Sequence, residues 1–227
     1  MDPSTALEIL DTLIEEYRDS GQHQLRFRDP FELLILTILS AQTTDRSVES
    51  VQGELFRRFP NAEALSRASE STVDRIIHDV GFHHVKARYL IETSKMIVEK
   101  YHGRVPGTME ELTELPGVGR KTANIVLSRG FGIDVGIAVD THVKRLSQRI
   151  GLSDHSEPEK IEKDLMALYP REAWPKINFT FMQHGRVICT ARRPKHESCV
   201  IKEECRCYHL FHEGSVDREC HPQDETI

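Results

Sequence analysis

The stretch 115-LPGVGRKTANIVL-127 decides how the rest of the chain is read. Pro116 with Gly117 and Gly119 sets a turn, and a helical pattern starts at Arg120. Upstream, Thr108-Met-Glu-Glu111 is a capping box that opens a short helix running to Leu115. Together they predict a helix–turn–helix hairpin over about 108–130. The first amides of its second helix lack partners within the helix, and the helix dipole adds positive potential there. Such an end suits an anion, and the backbone of Gly117, Val118 and Gly119 with the side chain of Arg120 suits a nucleic-acid phosphate. A hairpin whose glycines only turn the chain is the competing account.

Lys121 stands in the first turn of that second helix, where a positive charge opposes the dipole. Partly desolvated beside Arg120, its amine would have a lowered pKa and act as a nucleophile toward a sugar carbon. A solvated surface lysine is the plainer alternative. Nineteen residues on, 139-VDTHVKRL-146 places Asp140 before another helix. It fits an N-cap, and it also fits a carboxylate that stabilises positive charge on a sugar as an N-glycosidic bond breaks.

Outward from this core, apolar residues recur at helical spacing, as in Leu7, Leu10, Ile14 and Val143, Leu146, Ile150, and no run alternates as a strand. The chain reads as all-α. Further helices start at Asp2-Pro3, Asp29-Pro30 and Asp45 and stop near Phe59-Pro60, Gly81 and Gly103. The segment 30–42 is apolar nearly all round and belongs in a core. Gly130 and Gly132 end the Lys121 helix and mark a boundary between two lobes, 22–132 and 1–21 plus 133–208. From about 209 the chain reads as a loosely ordered tail.

The net charge of −6 excludes a chain basic all over. Its sign is uneven: residues 115–150 hold six Lys/Arg against two Asp, and 186–207 six against three Glu. Local basic faces fit a polyanion engaged on one side, and solvated helix faces fit equally on charge alone. The apolar run 31-FELLILTIL-39 is too short for a membrane span and no basic-then-apolar leader opens the chain, so a soluble cytoplasmic, nucleoid-associated protein is expected.

The pairing of LPGVGRKTA with VDTHVKR resembles the endonuclease III family of DNA glycosylases in the helix-hairpin-helix superfamily, over roughly residues 5–207. The resemblance implies a two-lobed fold, a six-helix barrel domain plus a helical domain with a metal-cluster loop. It implies Lys121 as the Schiff-base nucleophile and Asp140 as the assisting carboxylate. Gln42, in 40-SAQTTD-45, would fill the gap left by an extruded base, with Phe82 as a wedge and His83 beside it. The implied activity is base excision repair on double-stranded DNA carrying a damaged, oxidised pyrimidine or an abasic site, by a monomer that also nicks the strand. A mismatch glycosylase acting on adenine or thymine, and a non-catalytic DNA-binding module, are the alternatives.

In this family a Cys-x6-Cys-x2-Cys-x5-Cys loop holds a 4Fe-4S cluster. Here the frame reads Cys189, His196, Cys199, Cys205, a histidine standing second. Either His196 ligates iron, or Cys207 supplies the fourth thiolate, or the Cys3His set binds zinc; a labile cluster is a further option. Disulfides are not expected in a reducing compartment. The tied loop, 189–207, would present Arg192, Arg193 and Lys195 to the phosphate backbone.

Overall fold

The computed structural model describes residues 1–18, 26–213 and 220. Among these the regular structure is helical, without a strand. The α-helices are α1 (Pro3–Glu16), α2 (Pro30–Ser40), α3 (Asp45–Arg58), α4 (Ala62–Ser66), α5 (Glu70–Ile76), α6 (His83–Tyr101), α7 (Met109–Thr113), α8 (Arg120–Val126), α9 (Thr141–Ile150), α10 (Pro158–Leu168), α11 (Trp174–Val187) and α12 (Arg206–His212).

Their starts follow local chemistry. Asp2 accepts from the N–H groups of Ser4 and Thr5, and Asp29 from that of Glu32, each with proline at the head of the helix. At α3 the cap is Thr44, whose hydroxyl accepts from Ser47 N–H; Asp45, expected as the start, is the first helical residue, where its charge suits the dipole.

The chain divides into two compact units, one of Met1–Gln22 with Gly136–Ile227 and one of His23–Val135. Within His23–Val135, α2 is buried from Phe31 to Leu39, which is why it has no polar face. Leu55, Leu65, Leu90, Ile97, Ala123 and Val126 join it in one core. In the other unit, Leu10 and Leu13 of α1 pack in a separate core with Leu146 of α9, Leu165 of α10 and Phe181 of α11.

That second core extends into the cysteine segment through Ile201, Cys205 and Cys207, so the segment has apolar anchors as well as its cysteines. The beginning of the expected tail, residues 209–212, is the end of α12; most of the rest lies outside the described residues. Cys207 and Cys220 are joined by a disulfide, contrary to the expectation that none forms; both are buried, at 0% and 1% exposure. Among the described residues no helix is long and apolar enough to cross a membrane.

Candidate functional site

The hairpin is built by α7, the turn 114–119 and α8, which continues as a π-helical turn, Leu127–Phe131, closed by Gly132 at φ 68°. The Thr108 hydroxyl accepts from Glu111 N–H at 3.3 Å and donates to the Glu111 carboxylate at 2.9 Å. On α6, Thr93 Oγ1 donates to the Pro116 carbonyl at 2.7 Å and fixes the turn. Gly117 has φ 77°, and a Cβ on it would lie 2.8 Å from Cδ2 of Tyr89, so two constraints demand glycine. Gly119 differs: its φ of −96° suits any residue, and a Cβ there would meet nothing within 4 Å. The fold therefore does not require glycine at this position.

Val118 is buried, so only its backbone is presented. No side chain caps the first turn of α8, and Arg120 and Lys121 are both exposed. The expected partial desolvation of Lys121 is therefore absent.

Among the described residues, three non-glycine residues of the same unit have a positive φ, His102 at 54° as the cap ending α6 and two nearer the candidate site. Gln42 has φ 51° and Phe82 φ 59°, left-handed conformations that bulky side chains rarely adopt, and Phe82 is 66% exposed. Strain of this kind persists only where surrounding contacts enforce it. Between these two positions lies the side chain of Lys86, 5% exposed. Its Nζ donates to the carbonyls of Leu39 at 2.8 Å and Ala41 at 2.6 Å and to Thr43 Oγ1 at 2.8 Å. One ammonium on α6 thus ties the Gln42 turn to the helix that Phe82 begins. Burial pulls its pKa down to about 8. Sequence reasoning passed over Lys86, because a lysine one helical turn past a glycine reads as solvated. His83 lies beside Phe82, its Nδ1 2.7 Å from Asp74 Oδ1.

Asp140, in the other unit, is the N-cap of α9. Oδ1 accepts from His142 and Val143 N–H, each at 2.8 Å, and Oδ2 lies 3.7 Å from His142 Nδ1. Capping fixes the carboxylate through one oxygen, so the cap and the chemical role are compatible.

Cys189, His196, Cys199 and Cys205 line one partly open cavity with Arg149, His184 and Cys207. Arg149 is 2% exposed and donates to the carbonyls of Thr190 at 2.7 Å and Ala191 at 2.8 Å, with Nη1 3.5 Å from Cys189 Sγ. Arg145 donates to the carbonyls of Cys189 and Gly185. Both belong to the stretch whose charge suggests a basic face; instead they turn inward and hold the loop that carries Cys189. His184, buried on α11 and not foreseen, places Nε2 3.5 Å from Cys199 Sγ and Nδ1 2.9 Å from the Tyr17 hydroxyl. A histidine on an apolar helix face gives little signal in sequence. The His196 ring stacks on Phe211 at 5.2 Å. Arg192, Arg193 and Lys195 are exposed. Cys207, weighed as a fourth ligand, is held in its disulfide with Cys220.

Burial, with the neighbouring Cys205 and Cys189 thiols adding to it, pushes the Cys199 thiol up to about 11. Crowded buried thiols become thiolates readily only beside a metal cation. Three sulfurs and an imidazole on one cavity wall are a donor set that fits such a group.

Comparison with known proteins agrees with this chemistry. Residues 35–171 match the HhH-GPD superfamily of base excision DNA repair proteins, and residues 189–205 match the iron-sulfur binding domain of endonuclease III. The endonuclease III of Synechocystis is 44% identical over 200 residues, spanning 88% of this chain and 91% of that protein. The Escherichia coli enzyme is 37% identical, spanning 90% and 96%. A solved structure of a non-covalent endonuclease III–DNA complex superposes with a TM-score of 0.86 at 35% identity, covering 94% of this chain and 99% of that one. A thermostable thymine-DNA glycosylase, at 24% identity and a TM-score of 0.80, shares the fold. The cysteine segment is an iron–sulfur site, and its cofactor is a 4Fe-4S cluster. With the hairpin, the helical architecture and the cysteine segment all accounted for, the chain belongs to the endonuclease III family of HhH-GPD base excision DNA repair proteins.

Proposed function

We propose that this family member is a bifunctional DNA glycosylase and abasic-site lyase acting, as a monomer in the cytoplasm, on nucleoid duplex DNA that carries an oxidised pyrimidine. The observation that carries the reading is Lys121: an exposed amine in the first turn of a helix with no side-chain cap, two residues after Gly119, whose open face the fold does not require. In this mechanism the hairpin backbone at Gly117 to Gly119, with Arg120, takes a phosphate. Phe82 and Gln42 replace the stacking and pairing of the flipped nucleotide, and Arg192, Arg193 and Lys195 contact the backbone.

The Lys121 amine attacks the anomeric carbon of the sugar as the bond to the base breaks. The electron pair of that bond leaves with the base, which gains a proton. Asp140 stabilises the positive charge on the sugar and takes the proton of the attacking amine. Ring opening gives an imine, loss of the adjacent proton expels the 3′ phosphate, and water then frees the lysine. The cluster is structural in this scheme, held by Cys189, Cys199 and Cys205 with His196 as the fourth ligand; when bound it draws charge from the thiolates and orders the loop.

A duplex with one oxidised pyrimidine tests the reading directly. Wild type releases the base and nicks the strand, and Lys121→Gln does neither while still binding. Base release without a nick would mark a water-using glycosylase, and binding with neither product a non-catalytic module.

A further inference from the structure

Asp74, on α5, has one side-chain oxygen shared by two imidazoles. Oδ1 lies 2.7 Å from His83 Nδ1 and 2.8 Å from His84 Nδ1. Successive residues on a helix point away from each other, yet these rings, at the start of α6, converge with centroids 4.0 Å apart. His78 adds a third ring, 4.8 Å from that of His83. The convergence is not driven by apolar packing: His84 and His78 are 77% and 74% exposed, while His83 and Asp74 are 20% and 23% exposed.

We infer that Asp74, His83 and His84 form a site for one late divalent cation of the Zn2+ class, distinct from the iron–sulfur site. The ligand atoms of the three lie within 4.8 Å of one another. Two imidazole nitrogens and one carboxylate oxygen are the donors such a cation prefers at about 2.0–2.2 Å. Tetrahedral ligation at that length places donors roughly 3.3–3.6 Å apart, so small side-chain rotations from the present hydrogen-bonded spacing seat the ion. Calcium and magnesium are disfavoured, because both require several oxygen donors and a single carboxylate offers few. The exposed side of His84 leaves a fourth position for water. Bound there, the cation would clamp α5 to the first turn of α6, next to Phe82. Given the proposed function, it would stiffen the wedge and add positive charge beside DNA.

Calorimetric titration of the cluster-loaded protein with Zn2+, in a non-chelating buffer and without DNA, isolates this site from the repair chemistry. One equivalent should bind while the visible absorption of the cluster stays unchanged. Asp74→Asn and His84→Gln should each weaken that binding by more than about 10-fold, the loss that outer-shell changes alone can cause. The exposed-surface control His155→Gln should leave it unaltered. Helical circular dichroism and thermal unfolding report that each variant is folded. Absence of a stoichiometric site, equal binding by folded variants and wild type, or loss of cluster absorption in step with zinc uptake would each overturn the inference.

Discussion

Gly117 and Gly119 sit two residues apart and differ in what they are for. Gly117→Ala meets both a left-handed backbone and Tyr89, and should cost about 1–3 kcal/mol of stability, read by denaturant unfolding. Gly119→Ala meets open space and should leave stability nearly unchanged while weakening DNA binding severalfold; unchanged affinity would remove the hairpin from the DNA contact. Asp140 allows a cleaner separation. Asparagine caps a helix about as well as aspartate, so Asp140→Asn preserves the bonds to His142 and Val143 N–H and removes only the charge. Base release should fall by about 100- to 1,000-fold, the range for losing a preorganised electrostatic group. A small effect on rate with an unchanged unfolding temperature would reduce Asp140 to a cap.

At the level of elements, Lys86 connects the end of α2 to the start of α6 through three oxygen acceptors. Lys86→Met leaves the carbonyls of Leu39 and Ala41 without their donor, a loss of about 1–3 kcal/mol for buried groups. The difference between wild type and variant should depend on pH. The unfolded chain keeps the lysine proton up to its ordinary value of 10.5, and the folded chain releases it near about 8. Between those values the unfolded state binds more protons, so the contribution of Lys86 to stability rises with pH. A wild-type-minus-variant difference that stays flat from pH 7.5 to 10 would contradict the low pKa. The same elements explain what the sequence could and could not disclose. The caps at Asp2, Asp29 and Thr108 are local, set by residues within one turn, and they are read without tertiary knowledge. Lys86 takes its meaning from residues more than 40 positions away, and the meeting of Asp74 with His83 and His84 depends on how α5 approaches α6.

Over the whole molecule, charge along the sequence does not map directly onto surface charge. Arg145 and Arg149 belong arithmetically to a basic stretch, yet their guanidinium groups serve the loop at Cys189. Arg149→Met should therefore hasten loss of the cluster, followed as fading visible absorption, more than it weakens DNA binding. Arg192, Arg193 and Lys195 remain exposed, and neutralising all three should lower the salt dependence of DNA affinity by about one logarithmic slope unit per charge removed. An unchanged slope would take that segment off the phosphate backbone. The cysteine frame was legible as a metal site through the family resemblance, whereas the buried His184 and the Cys207–Cys220 disulfide were not, because both depend on tertiary placement. The central claim, that Lys121 attacks the sugar, is tested most directly by borohydride reduction during reaction with a labelled duplex bearing one oxidised pyrimidine. The account predicts a covalent protein–DNA adduct from wild type, with the linkage mapped to Lys121, and none from Lys121→Gln. An adduct of equal yield from the variant, or none from a wild type that still releases the base, would contradict it.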